Sequence, residues 1–347
     1  MKKIFIVLIS VVMMFVFVVF PLNVSAVSTD LQPTQSLVLY TSASTTEYEL
    51  IVGLFKEKYP DVEVEIVSAG TGELASKIVA EAANPQGDVL MGGGTSSYSA
   101  IADYLDEYVS PNLDSIFEEF KPPVSKWTPV YINVNSIIVN NKLINELGVT
   151  VDGWESLINE KLKGNIAFAD PSASASALEQ LVNMLTAMST TDSPDGGWDF
   201  VKKFLINLDG KISSSSSACY KSVVEGEYAV GLTNEDKAIS YIAAGADVSV
   251  VYPKEGITLR TSNIGVIKNG PNTYNAQLFI DFVTSQECQK EMESKLFVRP
   301  ARKDVPRTTK GRITTDQIKS LPYPTEWVEA NSENVKVKFQ DLLTSIQ

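Results

Sequence analysis

The stretch LVLYTSASTTEYELIVGLFKEKYPDVEVEIVSAGTGELASKIVAEA, residues 37–82, decides the fold class of this 347-residue chain. Residues 37–40 form an apolar run typical of a buried strand, and residues 62–67 alternate apolar with acidic side chains as a half-buried strand does. After each strand the apolar residues adopt helical spacing, at 48–59 and again at 74–83. The stretch therefore predicts two successive strand–helix units.

A third strand is predicted at residues 88–91, so strands recur about every 26 residues with helices between them. This spacing predicts βαβ units and a mainly parallel sheet flanked by helices. In such sheets, ligands bind beyond the carboxyl ends of the strands.

Two long β-rich runs, residues 130–139 and 259–267, separate this region from a second alternating region. We predict two α/β lobes joined by a two-strand hinge near Tyr131 and Thr261. The predicted divisions are 27–130 with 262–310 for the first lobe, 131–261 for the second, and 311–347 as a C-terminal segment, helical from about Thr325, without an assigned lobe.

The first 26 residues have the pattern of a secretory signal peptide. Lys2 and Lys3 precede an apolar run over residues 4–20, and Val24-Ser25-Ala26 supplies the small-residue cleavage pattern. We expect cleavage after Ala26, with an uncleaved membrane anchor as the alternative. The mature protein is then expected to be periplasmic.

Charge and residue counts exclude several function classes. The net charge is −13, which argues against nucleic acid and anionic membranes as partners. The chain has no histidine, which removes Ser-His-Asp and Cys-His catalysis and every metal site that needs imidazole. Cys219 and Cys288 fall in different predicted lobes, so we expect two unpaired thiols.

Small hydroxyl and glycine residues follow each of several predicted strands, at the helix starts. One interpretation is helix capping: Ser44 with Glu47, and Ser176 with Glu179, have the spacing of a capping box. Asn234 is a candidate N-cap of its helix as well.

The second interpretation is an anion site, because each helix start holds more small residues than a single cap requires. Small residues leave backbone N–H groups accessible, and a helix N-terminus favours anions. Donors of this kind can hold a phosphoryl group without arginine. The candidate residues are Ser42, Ser44, Gly70, Thr71, Gly93, Gly94, Ser172, Ser174 and Ser176.

A further set of candidates lies near the other predicted sheet edge. Asn234 and Glu235 open a helix after the strand in GEYAVGLT, and Tyr220 and Glu255 are expected near the same edge. We interpret these residues as contacts for the hydroxyl or amino groups of a ligand.

The motifs LVLYTS (37–42), GDVLMGGG (87–94), GEYAVGLT (226–233) and YPKEG (252–256) carry a family resemblance. The chain resembles the substrate-binding proteins of bacterial ABC importers, in their ferric-iron, phosphonate and sugar-phosphate branch. The resemblance implies a type II periplasmic binding fold, closure of two lobes around a small anionic solute, and delivery to a membrane permease. It implies a monomer without enzymatic activity or cofactor.

The resemblance leaves the solute open. Iron-binding members use two adjacent tyrosines, whereas this chain has Ala218-Cys219-Tyr220; sugar-phosphate members place a histidine and an acid where Asn234 and Glu235 stand. A hexose phosphate and 2-aminoethylphosphonate are equally favoured, with ferric iron held by Tyr220 and an acid as the alternative. A secreted phosphate-ester hydrolase is a remote alternative, since no histidine or clustered metal motif accompanies the serines.

Overall fold

The computed structural model describes residues 33–213, 215–306, 309 and 311–346. The predicted signal segment, residues 1–26, lies outside the described residues. No helix within the described part of the chain is both long enough and apolar enough to cross a bilayer.

The strands alternate with helices along most of the chain. The strands are β1 Ser36–Thr41, β2 Glu63–Ser68, β3 Val89–Met91, β4 Thr128–Asn133, β5 Asn135–Asn140, β6 Ile166–Ala167, β7 Val230–Asn234, β8 Val248–Val251, β9 Ile257–Thr258, β10 Arg260–Val266, β11 Arg299–Pro300 and β12 Ser320–Leu321. The helices are α1 Thr45–Lys58, α2 Thr71–Ala80, α3 Thr95–Ala100, α4 Asn141–Leu147, α5 Ala175–Ala187, α6 Trp198–Leu208, α7 Ser216–Val224, α8 Glu235–Ala243, α9 Thr273–Val283, α10 Gln286–Leu296 and α11 Thr325–Ile346.

The first lobe is built on a six-stranded sheet in the order β11-β4-β10-β3-β1-β2. β1 pairs in parallel with β2 and β3, whereas β10 pairs antiparallel with both β3 and β4. Strands β1 to β4 therefore share one direction, and their carboxyl ends lie at one edge of the sheet. The predicted strands at 37–40, 62–67 and 88–91 correspond to β1, β2 and β3.

The second lobe is built on a four-stranded sheet in the order β6-β7-β5-β8. β6 and β7 are parallel, and β5 runs antiparallel to β7 and β8. In both sheets most strands share one direction. β10 in the first sheet and β5 in the second run opposite to the neighbouring strand on each side. The predicted two-lobe α/β class is the observed one.

Three chain segments connect the lobes in the described part of the chain. Val134 separates β4 of the first sheet from β5 of the second, and Leu259 leads into β10 on the return. The third segment follows β11, pairs β12 with β9, and ends in α11. Phe339 of α11 packs against Phe168 in the second lobe, with ring centroids 5.9 Å apart. The sequence predicted two crossings, so the third is a correction.

Each lobe has an apolar core of its own. Leu37, Phe55 and Phe279 belong to the core of the first lobe, and Trp154 and Phe204 to that of the second. Both cysteines are buried free thiols: Cys288 belongs to the first core and Cys219 to the second. Burial raises the pKa of the Cys219 thiol to about 11 and that of Cys288 to about 12.

Candidate functional site

Three turns of the first lobe meet at the carboxyl edge of its sheet. Ser42 follows β1, Thr71 begins α2, and Gly92 and Gly93 follow β3. The Thr71 hydroxyl donates to the Ser42 Oγ at 2.9 Å, and the Ser42 backbone N–H donates to the Met91 carbonyl at 3.0 Å. We call Ser42, Thr71, Gly92 and Gly93 the hydroxyl cradle. Its members come from three separate predicted turns, as the sequence interpretation requires.

The two glycines of the hydroxyl cradle leave no room for side chains. Gly92 has φ +101° and Gly93 has φ +80°, a region that residues other than glycine rarely adopt. A Cβ on Gly92 would lie 2.5 Å from the Ser42 Oγ, and one on Gly93 would lie 2.5 Å from the Thr71 Cγ2. The backbone at this edge therefore packs closely against Ser42 and Thr71, with Gly92 buried and Gly93 half-buried.

Gly70, Gly94 and Ser44 occupy the N-cap positions of α2, α3 and α1. The Ser44 side chain is exposed and makes no capping hydrogen bond, so the predicted capping box with Glu47 is wrong. A Cβ on Gly70 would meet open space. Gly94 differs, because a Cβ there would lie 3.4 Å from Nη1 of Arg260.

The serines of the second lobe stand at the start of α5. Ser174 is the N-cap of this helix, and its Oγ accepts from the Ala177 N–H at 3.2 Å. Ser176 lies inside the helix and accepts from Gln180 Nε2 at 3.4 Å, so the predicted capping box on Ser176 is wrong as well. Ser172 is exposed, and its N–H donates to Asp170 Oδ1 at 2.7 Å.

Arg260, at the start of β10, brings a positive charge to the junction of the lobes. Its Nη1 lies 2.7 Å from Oε1 of Glu179 on α5, and its guanidinium lies 5.2 Å from the ring centroid of Tyr323. The Tyr323 hydroxyl donates to Glu179 at 3.2 Å. Burial raises the pKa of Glu179, against the opposing effects of Arg260 and Tyr323. We call Arg260, Glu179 and Tyr323 the arginine cluster.

The arginine cluster was missed in the sequence. Glu179 matched the last position of a capping box, and Arg260 was not among the candidate residues. The expectation of a neutral cradle is therefore corrected, since Arg260 lies beside Gly94. Next to it is a cavity of about 190 Å³, whose lining includes Thr95, Trp127, Arg260 and Tyr323.

Glu47, in the first turn of α1, is buried rather than exposed at a helix cap. The residue is 9% exposed, and its carboxylate accepts a hydrogen bond from the Tyr131 hydroxyl of β4 at 3.3 Å. Burial is the largest cause that raises the pKa of Glu47, to about 7; Asp236 raises it further, whereas Tyr131 and Lys237 lower it. Asp236 and Lys237 belong to α8 of the second lobe. We call Glu47, Tyr131, Asp236 and Lys237 the Glu47 cluster.

Tyr220 and Asn234 lie near the Glu47 cluster in the second lobe. The Tyr220 ring packs against Tyr241, with centroids 5.9 Å apart, and Tyr220 is among the groups that raise the pKa of Lys237. Asn234 ends β7 and is the N-cap of α8, but its side chain makes no capping hydrogen bond. Both side chains are half-buried, and both remain candidate contacts.

The structure removes Glu235 from the candidate contacts. Glu235 is 2% exposed, and its carboxylate binds Arg299 of β11 in a two-pronged ion pair, in which Nε donates at 3.2 Å. Arg312 Nε lies 2.8 Å from the same carboxylate, and Nη1 of Arg312 donates to Glu293 Oε1 at 3.1 Å. Because two arginines occupy Glu235, its interpretation as a solute contact is corrected to a structural ion pair.

Glu255 is corrected for a similar reason. Its carboxylate accepts from the backbone N–H of Trp154 at 2.9 Å and from that of Glu155 at 3.1 Å. These are the unsatisfied donors at the start of the 3₁₀ helix Trp154–Ile158. A ferric site built on Tyr220 with Glu235 or Glu255 therefore loses both acids. No group of three metal-ligating side chains suited to an ion occurs in the described residues.

β10 is the scaffold between these groups. Ser262 is the register partner of Tyr131, and a register shift follows between Ser262 and Asn263. Asn263 accepts from the Gly92 N–H at 2.8 Å and donates its own N–H to the Gly93 carbonyl at 3.2 Å. Within four residues, β10 thus contacts the hydroxyl cradle and supplies Arg260 to the arginine cluster.

Comparison with known proteins shows which protein family the chain matches. The family model for bacterial extracellular solute-binding protein matches residues 51–322, which is more than half of the chain. The chain belongs to this family. The resemblance predicted from the sequence is confirmed, and the arrangement of two lobes around a junction lined with polar groups is that of a solute-binding protein.

Relatives of this chain carry different ligand names. The periplasmic binding protein AfuA from Actinobacillus pleuropneumoniae, solved with fructose 6-phosphate, is 26% identical with a TM-score of 0.75, covering 90% of this chain and 99% of AfuA. A relative from Salmonella typhimurium, "Putative 2-aminoethylphosphonate-binding periplasmic protein", is 24% identical over 253 residues, 72% of each chain. Iron-bound HitA from Pseudomonas aeruginosa has 20% identity and a TM-score of 0.71, covering 90% of this chain and 99% of HitA, and shows the shared fold.

Proposed function

We propose that this protein is the extracytoplasmic receptor of an ABC importer and binds a small phosphorylated or phosphonate solute between its lobes. The observation that carries this proposal is the hydroxyl cradle. It offers two hydroxyl groups and a side-chain-free backbone where three strands end, and the start of the ten-residue helix α2 lies at the same place. A phosphoryl group is bound well by donors of this kind.

Arg260, which lies beside Gly94, also supports the proposal. Its guanidinium approaches Gly94 and binds Glu179 of the second lobe, so an anion held beside Gly94 is attracted to a cation that itself links the two lobes. Binding that stabilises a closed arrangement of the lobes is the mechanism, because the solute contacts both lobes only when they are together. The protein makes and breaks no bond, acts as a monomer, and presents the closed complex to a membrane permease.

The ligand names of AfuA and the Salmonella relative, a sugar phosphate and a phosphonate, agree with this solute class. A ferric receptor is less well supported, because Glu235 and Glu255 are both engaged in structural contacts. We retain ferric iron as an outcome of the test.

The test is a calorimetric and thermal-shift panel on the purified protein. It includes glucose 6-phosphate, fructose 6-phosphate, 2-aminoethylphosphonate, inorganic phosphate and ferric citrate. A specific ligand at one hundred times its dissociation constant should stabilise the fold by about 2.7 kcal/mol. Binding of ferric citrate alone, with no phosphorylated or phosphonate compound bound, would overturn the proposal.

A pair of variants on α2 assigns the binding to the hydroxyl cradle. Thr71→Val removes the hydroxyl that contacts Ser42, whereas Ser76→Ala removes an exposed hydroxyl whose Oγ contacts only the Gly72 carbonyl of its own helix among the described groups. We expect Thr71→Val to weaken solute binding about tenfold, the loss of one hydrogen bond to a charged group, and Ser76→Ala to leave it unchanged. Equal effects of the two variants would contradict the assignment.

A further inference from the structure

The Glu47 carboxylate is buried with too few partners for a charged group. The residue is 9% exposed, and Tyr131 is the one hydrogen-bond donor to its carboxylate among the described residues, at 3.3 Å. An ionised carboxylate can accept about four hydrogen bonds. Glu235, at the start of α8, is also buried but has two arginines. Glu47 therefore carries binding capacity that the protein itself does not use.

The charges around Glu47 do not balance. Asp236 and Lys237 face it from α8, and the Lys237 Nζ lies 2.7 Å from Asp236 Oδ2. Tyr131 and Tyr220 contribute neutral hydroxyl groups, and Ser262 faces Tyr131 from β10. Two carboxylates thus share one ammonium group, which leaves one negative charge over at this place.

The position of Glu47 relates it to the hydroxyl cradle. Ser42 and Glu47 stand at the two ends of the same turn, between β1 and the first turn of α1, while Asp236 and Lys237 belong to the second lobe. A solute anchored by its anion at Ser42 can therefore present its other end to Glu47 and Asp236 when the lobes are together.

We propose that Glu47, assisted by Asp236, forms a subsite for the ammonium group of the solute. This inference rests on the proposed function and narrows it: the preferred solute carries a phosphonate or phosphate group at one end and a primary amine at the other. The amine supplies the missing positive charge and donates hydrogen bonds to the unused lone pairs of Glu47. A hexose phosphate has no such charge and binds less well.

The test compares two ligands that differ in the amine alone, 2-aminoethylphosphonate and ethylphosphonate, on the wild-type protein and on Glu47→Gln. Glutamine keeps the size of the side chain and an acceptor for Tyr131 but removes the charge. Glu49→Gln is the matched control, because Glu49 is an exposed residue of the same helix. Affinities are measured by titration calorimetry at pH 8.

We expect the wild-type protein to prefer 2-aminoethylphosphonate by about tenfold to a hundredfold, the loss expected for a hydrogen bond between charged groups. Glu47→Gln should abolish this preference by weakening the binding of 2-aminoethylphosphonate, and a cooperative thermal unfolding transition shows that the variant is folded. Glu49→Gln should retain the preference.

A pH series adds a second measurement. If Glu47 had only a structural role, the preference for the amine would not depend on pH. Because burial holds the pKa of Glu47 near 7, its carboxylate takes up a proton as the pH falls from 8 to 6. The preference for the amine should therefore fall over this range in the wild type and be absent at both pH values in Glu47→Gln. The ammonium group lowers the second pKa of its phosphonate relative to that of ethylphosphonate, so each affinity is first corrected for the measured dianion fraction of that ligand at each pH.

The outcomes separate this inference from the proposed function. Equal wild-type affinity for the two phosphonates, or a preference that survives in Glu47→Gln, overturns the ammonium subsite and leaves the anion receptor standing. If neither phosphonate nor any sugar phosphate binds, both the receptor for phosphorylated solutes and the subsite are wrong.

Discussion

Glu47 and Glu235 occupy similar places in the two lobes but have opposite surroundings. Each lies in the first turn of a helix that follows a strand, α1 after β1 and α8 after β7, and each is buried. Glu235 is surrounded by Arg299 and Arg312, whereas Glu47 receives one hydrogen bond from Tyr131. The first carboxylate is structural, and the second is available to a ligand.

The sequence interpretation had assigned the two roles the other way round. Glu47 matched a capping box, and Glu235 was expected to face the solute. The partners that decide the matter lie far away in the chain: Arg299 is 64 positions after Glu235, and Tyr131 is 84 positions after Glu47. The role of a buried acid is thus set by its tertiary partners and not by its place in the helix.

The largest expected effect is the loss of stability in Glu235→Gln. The change leaves Arg299 and Arg312 buried without a sufficient counter-charge, which should lower the free energy of unfolding by about 3–5 kcal/mol. Urea denaturation measures it, with Glu225→Gln on the exposed end of α7 as the control. A loss no greater than that of the control would show that the ion pair does not stabilise the lobe junction.

The effect of Glu47→Gln on the free energy of unfolding should have the opposite sign to that of Glu235→Gln. The folded state holds the proton of Glu47 up to about pH 7, compared with 4.5 for the ordinary group, so ionisation costs the wild type stability as the pH rises between these values. The variant has no such cost. Its stability relative to the wild type should therefore rise by about 3 kcal/mol between pH 4.5 and pH 8. Urea denaturation of both proteins at the two pH values checks this, and a difference independent of pH would contradict it.

The comparison extends to the glycines of the first lobe. Gly93→Ala should cost about 1–3 kcal/mol, because an alanine at φ +80° is strained and its Cβ would lie 2.5 Å from the Thr71 Cγ2. Gly72→Ala, one residue after Thr71, meets open space and should be neutral or slightly stabilising. Thermal unfolding of both variants checks the contrast. Tolerance of Gly93→Ala would mean that the backbone there can move away from Thr71.

The smallest expected effect is the difference in stability between two variants that each remove an N-cap hydroxyl, one from each lobe. Ser174 accepts from the Ala177 N–H, so Ser174→Ala should cost about 1 kcal/mol. Ser44 is an N-cap without a side-chain hydrogen bond, and Ser44→Ala should change the stability by less than about 0.5 kcal/mol. Chemical denaturation of the two variants measures the difference. A larger loss from Ser44→Ala would restore the capping role that the sequence predicted.

The fold was largely predictable because its signals are local. The apolar run at Leu37 and Leu39 and the glycines after Met91 act within a few residues, and both correspond to the elements expected. The hydroxyl cradle was also predictable, since parallel strands bring their carboxyl ends to one edge.

The charged residues of the site were not predictable in the same way. Glu179 binds Arg260 and Tyr323, which lie 81 and 144 positions later, and Glu255 caps a 3₁₀ helix about one hundred positions earlier. The local spacing of residues in the sequence does not predict contacts between positions so far apart. A glutamate at the third helical position has the same local pattern whether it caps the helix or turns towards another lobe.

The packing of α11 has a consequence for how the chain matures. Val335, Phe339 and Leu343, which lie in the 22-residue helix α11, complete the same apolar core as Phe168 and Phe204. A chain synthesised from its amino end cannot complete this core before α11 has been made. Until then Phe168 lacks the Phe339 ring that packs against it, so the core of the second lobe closes only when α11 docks. A truncation of the last helix would accordingly produce a protein with a finished first lobe and a second lobe that exposes apolar surface to proteases.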